Sequence, residues 1–88
     1  MPVFADIELE TFNLSSETVE PFISSKTKAI LAVHQFGLPA DLDDLSDLAN
    51  RKGLVLIEDA ACALGSRYRG RPIGSSGRTA CFSFHPRK

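Results

Sequence analysis

The stretch KAILAVHQFGLPADLDDLSDLANRKGLVLIE, residues 28–58, decides the fold of this 88-residue chain. Its two ends, 28–36 and 54–58, are apolar and rich in Ile, Leu and Val. Short apolar runs of this kind are typical of strands that are buried on both faces of a parallel sheet. We therefore expect each end of the stretch to form one strand of such a sheet.

The segment between those two runs has the pattern of an amphipathic helix. Asp41 can accept a hydrogen bond from the first turn, and Gly53 can adopt the left-handed conformation that ends a helix. Arg51 and Lys52 complement the negative end of the helix dipole. The apolar residues fall on one face at helical spacing, and they are Leu42, Leu45, Leu48 and Ala49. A strand, a helix and a strand in this order predict two parallel strands joined by a crossover.

Segments on either side extend the alternation of strands and helices. Residues 3–5 (VFA) and 80–84 (ACFSF) have the composition of two further strands. Residues 14–24 (LSSETVEPFIS) offer two adjacent serines as a helix cap, but Pro21 removes an internal hydrogen bond. The helix in this segment is therefore predicted to be short or bent.

Two turn-rich segments lie between the third and the last predicted strand. Residues 59–65 (DAACALG) are predicted to form a short helix, and residues 66–77 (SRYRGRPIGSSG) an exposed hairpin or turn. No stretch rich in Pro, Gly and Ser divides the sequence into two parts. We therefore expect an α/β fold, a mostly parallel sheet with flanking helices, in which residues 1–88 form one continuous unit.

The composition is that of an ordinary globular chain, with 43% hydrophobic residues, 24% charged residues and a net charge of −1. The basic residues form no patch, so we expect no nucleic-acid partner. No apolar stretch approaches the roughly 20 residues of a membrane span, and the N-terminus lacks the basic and apolar regions of a signal peptide. These features predict a cytoplasmic protein without a membrane partner.

The two cysteines, Cys62 and Cys81, lie among apolar neighbours. That setting favours two buried thiols in a reducing compartment over a disulfide. With His34 and His85 the cysteines could form a zinc site, but the chain contains no C-x-x-C or H-x-x-x-H pair. We therefore predict no metal site.

Polar residues follow the predicted strands at the edge where open parallel sheets bind their ligands. They are His34, Gln35, Asp59, Ser83, His85 and Lys88. Asp59 could instead cap a helix, and Lys88 could be a solvated lysine. Ser83 could be a small core residue and His34 a packing residue. Spacing alone does not decide whether these residues bind a ligand or have only a structural role.

Catalysis by pyridoxal 5′-phosphate (PLP) would use Lys88, Asp59 and Ser83 together. A lysine amine forms a Schiff base with this cofactor, a carboxylate keeps its pyridine nitrogen protonated, and a hydroxyl helps to hold its phosphate. The three residues supply one group of each kind from neighbouring strand ends. No G-x-G-x-x-G motif follows a strand, which argues against a dinucleotide ligand.

From PVFADIE to its last residue, the sequence resembles the DegT/DnrJ/StrS family of PLP-dependent nucleotide-sugar aminotransferases. The specific motifs are VHQFGLPAD (33–41), IEDAA (57–61) and FSFHPRK (82–88), which occur in this order at family-like spacing. The resemblance implies the aspartate-aminotransferase type of fold (fold type I). Residues 1–88 would be part of its large, cofactor-binding domain, in an enzyme roughly four times longer.

The resemblance also assigns roles to three residues. Asp59 of IEDAA is expected to be the partner of the pyridine nitrogen, and Ser83 of FSFHPRK a phosphate ligand. Lys88 is expected to bind the cofactor as the Schiff-base lysine and to be the catalytic base. Two positions depart from the family: Cys62 replaces a Gln or His near the ring hydroxyl, and Arg78 replaces an acid in what we expect to be a surface turn.

The activity that the resemblance implies is amino transfer from an amino-acid donor, expected to be glutamate, to a nucleotide-linked keto-sugar. Such an enzyme would serve polysaccharide or antibiotic sugar biosynthesis as a homodimer. A PLP-dependent sugar dehydratase of the same family is disfavoured, because those members replace the lysine with histidine. A non-catalytic fragment or a split-subunit remnant stays open as an alternative, and we expect residues 1–88 alone to be inactive.

Overall fold

The computed structural model describes residues 1–87, which form an α/β fold around a three-stranded sheet. Strands β1 (Ala29–Val33), β2 (Val55–Asp59) and β5 (Thr79–Cys81) lie in the order β1-β2-β5 and are parallel. Strands β3 (Arg67–Tyr68) and β4 (Arg71–Pro72) form a separate antiparallel hairpin. The predicted parallel sheet and the predicted hairpin are both confirmed.

Helix α2 (Leu42–Lys52) connects β1 to β2 and has the predicted ends. The Asp41 side chain accepts a hydrogen bond from the backbone of Asp44 at 3.2 Å, and Gly53 ends the helix in the left-handed conformation at φ 67°. The predicted apolar stripe is buried: Leu42, Leu45, Leu48 and Ala49. Each buried leucine contributes about 1.5–3 kcal/mol, so this face attaches the helix to the sheet.

Helix α1 (Ser16–Val19) is a single turn that continues as a 3-10 turn over Glu20–Phe22. Ser15 caps it with a capping box, and Pro21 in the 3-10 turn explains why the α-helix stops so early. The Ser16 backbone and hydroxyl both donate to the Asp44 carboxylate, at 2.8 and 2.7 Å. The short helix predicted here is confirmed, and these bonds attach it to the start of α2.

One face of the sheet is covered and the other is open within residues 1–87. Ile30 and Leu56 are buried in the core beneath α2, whereas Leu31 and Val55 on the opposite face are each 57% exposed. The expectation that both faces are buried is therefore wrong for the described residues. The reason is that α1, α2 and the hairpin pack on the same side of the strands.

Two predicted elements are absent from the described chain. Residues 3–5 form no strand, and Phe4 is 87% exposed, because none of the described strands lies beside them to share hydrogen bonds. The predicted helix at 59–65 is absent, since Asp59 ends β2 and residues 60–65 form two turns. The last strand is also shorter than predicted, since it ends at Cys81, before Phe82 and Phe84.

A hydrogen bond joins the hairpin to the beginning of α2. The Tyr68 hydroxyl donates to Asp41 Oδ1 at 2.6 Å and accepts from the Asp43 backbone at 3.2 Å. The bond that Tyr68 donates to Asp41 is the main reason why the pKa of Asp41 lies below its ordinary value. Partial burial and the same bond raise the pKa of Tyr68.

Replacing Tyr68 with phenylalanine is expected to lower the free energy of unfolding by about 1 kcal/mol at neutral pH, because the bond to the carboxylate is lost at a partly exposed site. Because the pKa of Asp41 is lower in the folded protein than in the unfolded chain, the ionised carboxylate stabilises the fold at pH values above its ordinary pKa of 3.8. This stabilisation is lost as the pH falls through the lowered pKa of the folded state. The difference between the two proteins in urea unfolding should therefore shrink in acid. A difference that is the same at neutral and acid pH would contradict this account.

Candidate functional site

Asp59 is the last residue of β2 and lies on the open face of the sheet. It is half-buried, and its register partners are Val33 on β1 and Cys81 on β5. Asp59 Oδ1 accepts a hydrogen bond from the Ala61 backbone at 3.0 Å. Because turns follow Asp59, the alternative that it caps a helix is wrong.

Ser83 lies on the neighbouring segment, two residues beyond the end of β5. It is half-buried, and its hydroxyl oxygen accepts a hydrogen bond from the His85 backbone at 3.2 Å, which leaves the hydroxyl proton available to donate. The Ala60 amide donates to the carbonyl of Cys81 at 2.8 Å and holds the two strand ends side by side. The fold thus brings the segments carrying Asp59 and Ser83 to one edge, whereas Lys88 lies outside the described residues.

His34 follows β1 and is fully buried. Its Nδ1 accepts a hydrogen bond from the Ala40 backbone at 2.9 Å, so the ring proton is assigned to Nε2, which donates to Glu58 Oε1 at 3.0 Å. An imidazole that accepts at one nitrogen and donates at the other is neutral. The interpretation of His34 as a packing residue is therefore confirmed.

The buried carboxylate of Glu58 and the partly buried guanidinium of Arg78 form an ion pair that was not predicted from the sequence. The Glu58 side chain is 0% exposed and that of Arg78 is 25% exposed, with Arg78 Nε 3.5 Å from Glu58 Oε2. The expectation that Arg78 belongs to a surface turn is wrong. The burial of Glu58 could have been predicted from the sequence, because Glu58 follows Leu56 at the strand spacing of two and so shares its buried face.

The loops after β1 and β2 approach each other closely beside Asp59. Gly37 has φ +80°, and a Cβ on it would lie 2.9 Å from the carbonyl oxygen of Cys62, so only glycine fits here without displacing backbone. The Ser66 hydroxyl donates to the carbonyl of Gly37 at 2.7 Å and closes the same contact. The turns after Asp59 are therefore held against the end of β1.

Both cysteines are exposed, so the prediction of buried thiols is wrong. Cys81 lies on the open face of the sheet as the register partner of Asp59, and Cys62 lies in the turns that follow Asp59. At Cys81 apolar neighbours in sequence did not indicate burial, because successive residues of a strand alternate between the covered and the open face.

Other features of residues 1–87 lie apart from this edge. A cleft of about 360 Å³ is lined by the N-terminal segment, the start of α2 and the hairpin, and neither Asp59 nor Ser83 lines it. No helix in this range is long and apolar enough to cross a membrane. The same residues contain no group of three or more His, Cys, Asp or Glu that could hold a metal ion. The candidate site is thus an open edge of the sheet.

A model of the DegT/DnrJ/EryC1/StrS aminotransferase family matches residues 1–88. The chain belongs to this family. In structure it is similar to DesV of S. venezuelae in complex with a ketimine intermediate, with a TM-score of 0.96 and 46% identity over 100% of this chain and 24% of that one. It is also similar to DesI in the presence of its TDP-sugar product, with a TM-score of 0.91 and 45% identity over 97% of this chain and 22% of that one.

Among curated proteins, the chain is 47% identical over 87 residues to a pleiotropic regulatory protein of Geobacillus stearothermophilus, covering 99% of this chain and 23% of the relative. The chain therefore spans about a quarter of the length of the family members that it matches. These similarities confirm the expected fold class, which is that of fold type I aminotransferases.

Proposed function

We propose that residues 1–88 form part of the cofactor-binding domain of a PLP-dependent aminotransferase that acts on a nucleotide-linked keto-sugar. The observation that carries the proposal is the pairing of β2 with β5. This pairing brings a half-buried carboxylate, Asp59, and the hydroxyl of Ser83 to one open edge of the sheet. The PLP ring and phosphate require groups of these two kinds.

The Asp59 carboxylate fits the role of partner to the pyridine nitrogen. Its Oδ1 is held by the Ala61 backbone at 3.0 Å, which orients the carboxylate. PLP, when bound, supplies an electron sink that stabilises a carbanion on the substrate. An ionised carboxylate beside the ring nitrogen keeps the proton on that nitrogen. The positive charge of the protonated ring is what allows it to accept electrons from the carbanion.

Ser83 fits the role of a phosphate ligand. Its hydroxyl accepts from the His85 backbone and so is oriented with its proton free to donate to a phosphate oxygen. A side chain that is already oriented loses little further entropy when it binds an anion. We propose that Ser83 holds the phosphate while Asp59 holds the ring.

Lys88 is proposed as the residue that forms the Schiff base and moves the proton at the reacting carbon. It lies outside the described residues, and the proposal rests on its position in FSFHPRK, five residues after Ser83. Lysine at this place favours amino transfer over the dehydratase alternative.

The substrate class is proposed from the relatives. DesI was solved in the presence of its TDP-sugar product, and DesV with a ketimine intermediate, which is a species of amino-transfer chemistry. We propose a nucleotide-linked keto-sugar as acceptor, glutamate as donor, a role in polysaccharide or antibiotic sugar biosynthesis, and a homodimer as the assembly.

A non-catalytic role for these 88 residues is the second candidate. The chain spans about a quarter of its relatives, and the open face of its sheet exposes Leu31 and Val55. A surface of this kind is normally covered in a complete domain. Residues 1–88 alone are therefore expected to bind PLP weakly or not at all.

The proposal is tested by mixing the full-length protein with PLP and recording its visible absorbance. A band that borohydride bleaches, with the added mass on the peptide that contains Lys88, is the expected result. Lys52 at the end of α2 serves as the internal control and should carry no added mass. A folded protein that gives no band would remove the proposed function.

A further inference from the structure

The Glu58 carboxylate connects three parts of the fold beneath the candidate site. Its Oε1 accepts from His34 at the end of β1, and its Oε2 accepts from the Ser76 hydroxyl at 3.3 Å and contacts Arg78. Ser76 and Arg78 both belong to the segment that leads into β5. One buried group therefore links all three strands of the sheet.

Arg78 places a positive charge beside this buried carboxylate. His34 is neutral, and among residues 1–87 Arg78 is the only lysine or arginine within 4.0 Å of Glu58. The Arg78 guanidinium also donates through Nη1 to Ser46 of α2 at 3.0 Å. An ionised carboxylate in a fully buried site is strongly unfavourable without such a partner. The contact therefore couples the start of β5 to both β2 and α2.

Strand β5 is three residues long, so few backbone contacts define its register. It pairs with β2 at three positions, Ile57 with Thr79, Glu58 with Ala80 and Asp59 with Cys81. Ala80 lies on the same face as its partner Glu58, so Arg78, two residues earlier, also points to that face. A slip by one residue would turn Arg78 to the open face and shift the segment carrying Ser83 by about 3.3 Å along the edge.

We propose that Glu58 and Arg78 are positioning residues, whose ion pair on the covered face of the sheet sets the β2–β5 register and so places the segment of Ser83 at the edge that carries Asp59. The significance for PLP rests on the proposed function, but the register itself does not. Since Glu58 and Asp59 are adjacent on opposite faces of β2, one strand carries the register contact on its covered face and the cofactor contact on its open face.

The register is tested first without cofactor, by amide hydrogen exchange on the full-length protein. The Ala60 amide reports the β2–β5 pairing through its 2.8 Å bond to Cys81, and the Val55 amide, bonded to Lys28 at 3.1 Å, reports the β1–β2 pairing. In Arg78→Met, Ala60 is expected to exchange at least about tenfold faster while Val55 changes much less. Arg78→Lys, which keeps the charge, is expected to retain most of the protection.

Arg69→Met is the matched control, because Arg69 forms an exposed ion pair with Asp43 at 2.8 Å. It should leave both amides unchanged. If Arg78→Met does not fold, the double variant Glu58→Gln/Arg78→Met removes both ionisable groups of the pair and is expected to fold with a fast Ala60 amide. Unchanged Ala60 exchange in the double variant, or equal acceleration at Ala60 and Val55, would overturn the inference.

The consequence for the site is measured as the Kd for PLP, which is expected to rise at least about tenfold in Arg78→Met and to stay unchanged in Arg69→Met. PLP affinity that is unchanged in a variant with a fast Ala60 amide would overturn the assignment as positioning residues. If the unsubstituted protein does not bind PLP, the proposed function is wrong. The hydrogen-exchange result would still show whether the Glu58–Arg78 pair sets the β2–β5 register.

Discussion

Replacing Lys88 with alanine in the full-length protein is expected to abolish amino transfer from glutamate to a nucleotide-linked keto-sugar. The same amine is proposed to hold the cofactor and to move the proton at the substrate carbon, so no remaining group can substitute for it. General acid–base catalysis alone accounts for about 10²–10⁴-fold in rate, and we expect at least the upper end of that range to be lost. The measurement is kcat with saturating donor and PLP.

Two controls distinguish this effect from damage to the fold. Lys52→Ala changes a lysine that is 40% exposed and contacts Glu20 at 3.7 Å, and it should leave kcat unchanged. The Lys88→Ala variant should also lose the borohydride-dependent mass while it keeps the thermal unfolding midpoint of the parent. A variant that retains near-normal turnover would exclude Lys88 as the catalytic base.

Replacing Asp59 with asparagine is expected to lower kcat by about a thousandfold, with little effect on stability. The amide retains an oxygen that can accept from the Ala61 backbone, so the local turn should persist. It carries no negative charge, however, and cannot keep a proton on the pyridine nitrogen. Losses of about 10²–10³-fold are typical when one electrostatic contact to a reacting system is removed.

Asp6→Asn is the matched control for this experiment. Asp6 is exposed, and its Oδ1 accepts a hydrogen bond from the Ile7 backbone at 2.8 Å, which resembles the bond that Asp59 makes. The same substitution at Asp6 should leave kcat, the Kd for PLP and the unfolding midpoint unchanged. If Asp59→Asn behaved like Asp6→Asn, the carboxylate would have no role at the cofactor.

Helix α2 and the two strands that flank it could be predicted from local pattern. The leucine stripe, the Asp41 cap and the Gly53 stop each depend on residues within one or two turns of the helix. The early end of α1 could also be predicted locally, because Pro21 removes a hydrogen bond that the next turn of the helix would need. The position of Asp59 after an apolar strand, together with the motifs around it, was sufficient to nominate the candidate site.

The roles of Glu58, Arg78 and the cysteines could not be predicted in the same way. Glu58 and Arg78 are twenty positions apart in sequence, and nothing local to either residue indicates that they meet beneath the sheet. Cys62 and Cys81 have apolar neighbours but lie on exposed surfaces. In each case the environment is made by segments that are distant along the chain.

The amino-acid sequence by itself determined helix α2, the two parallel strands on either side of it and the early end of α1, because periodicity, caps and turn residues act over a few neighbouring positions. It also determined that an acid, a hydroxyl and an amine follow the strands. Only the tertiary structure decided which face of the sheet is covered, and that the ion pair between Glu58 and Arg78 lies beneath the edge that carries Asp59. The physical reason is that burial and charge pairing depend on the packing of distant segments, which local sequence does not encode.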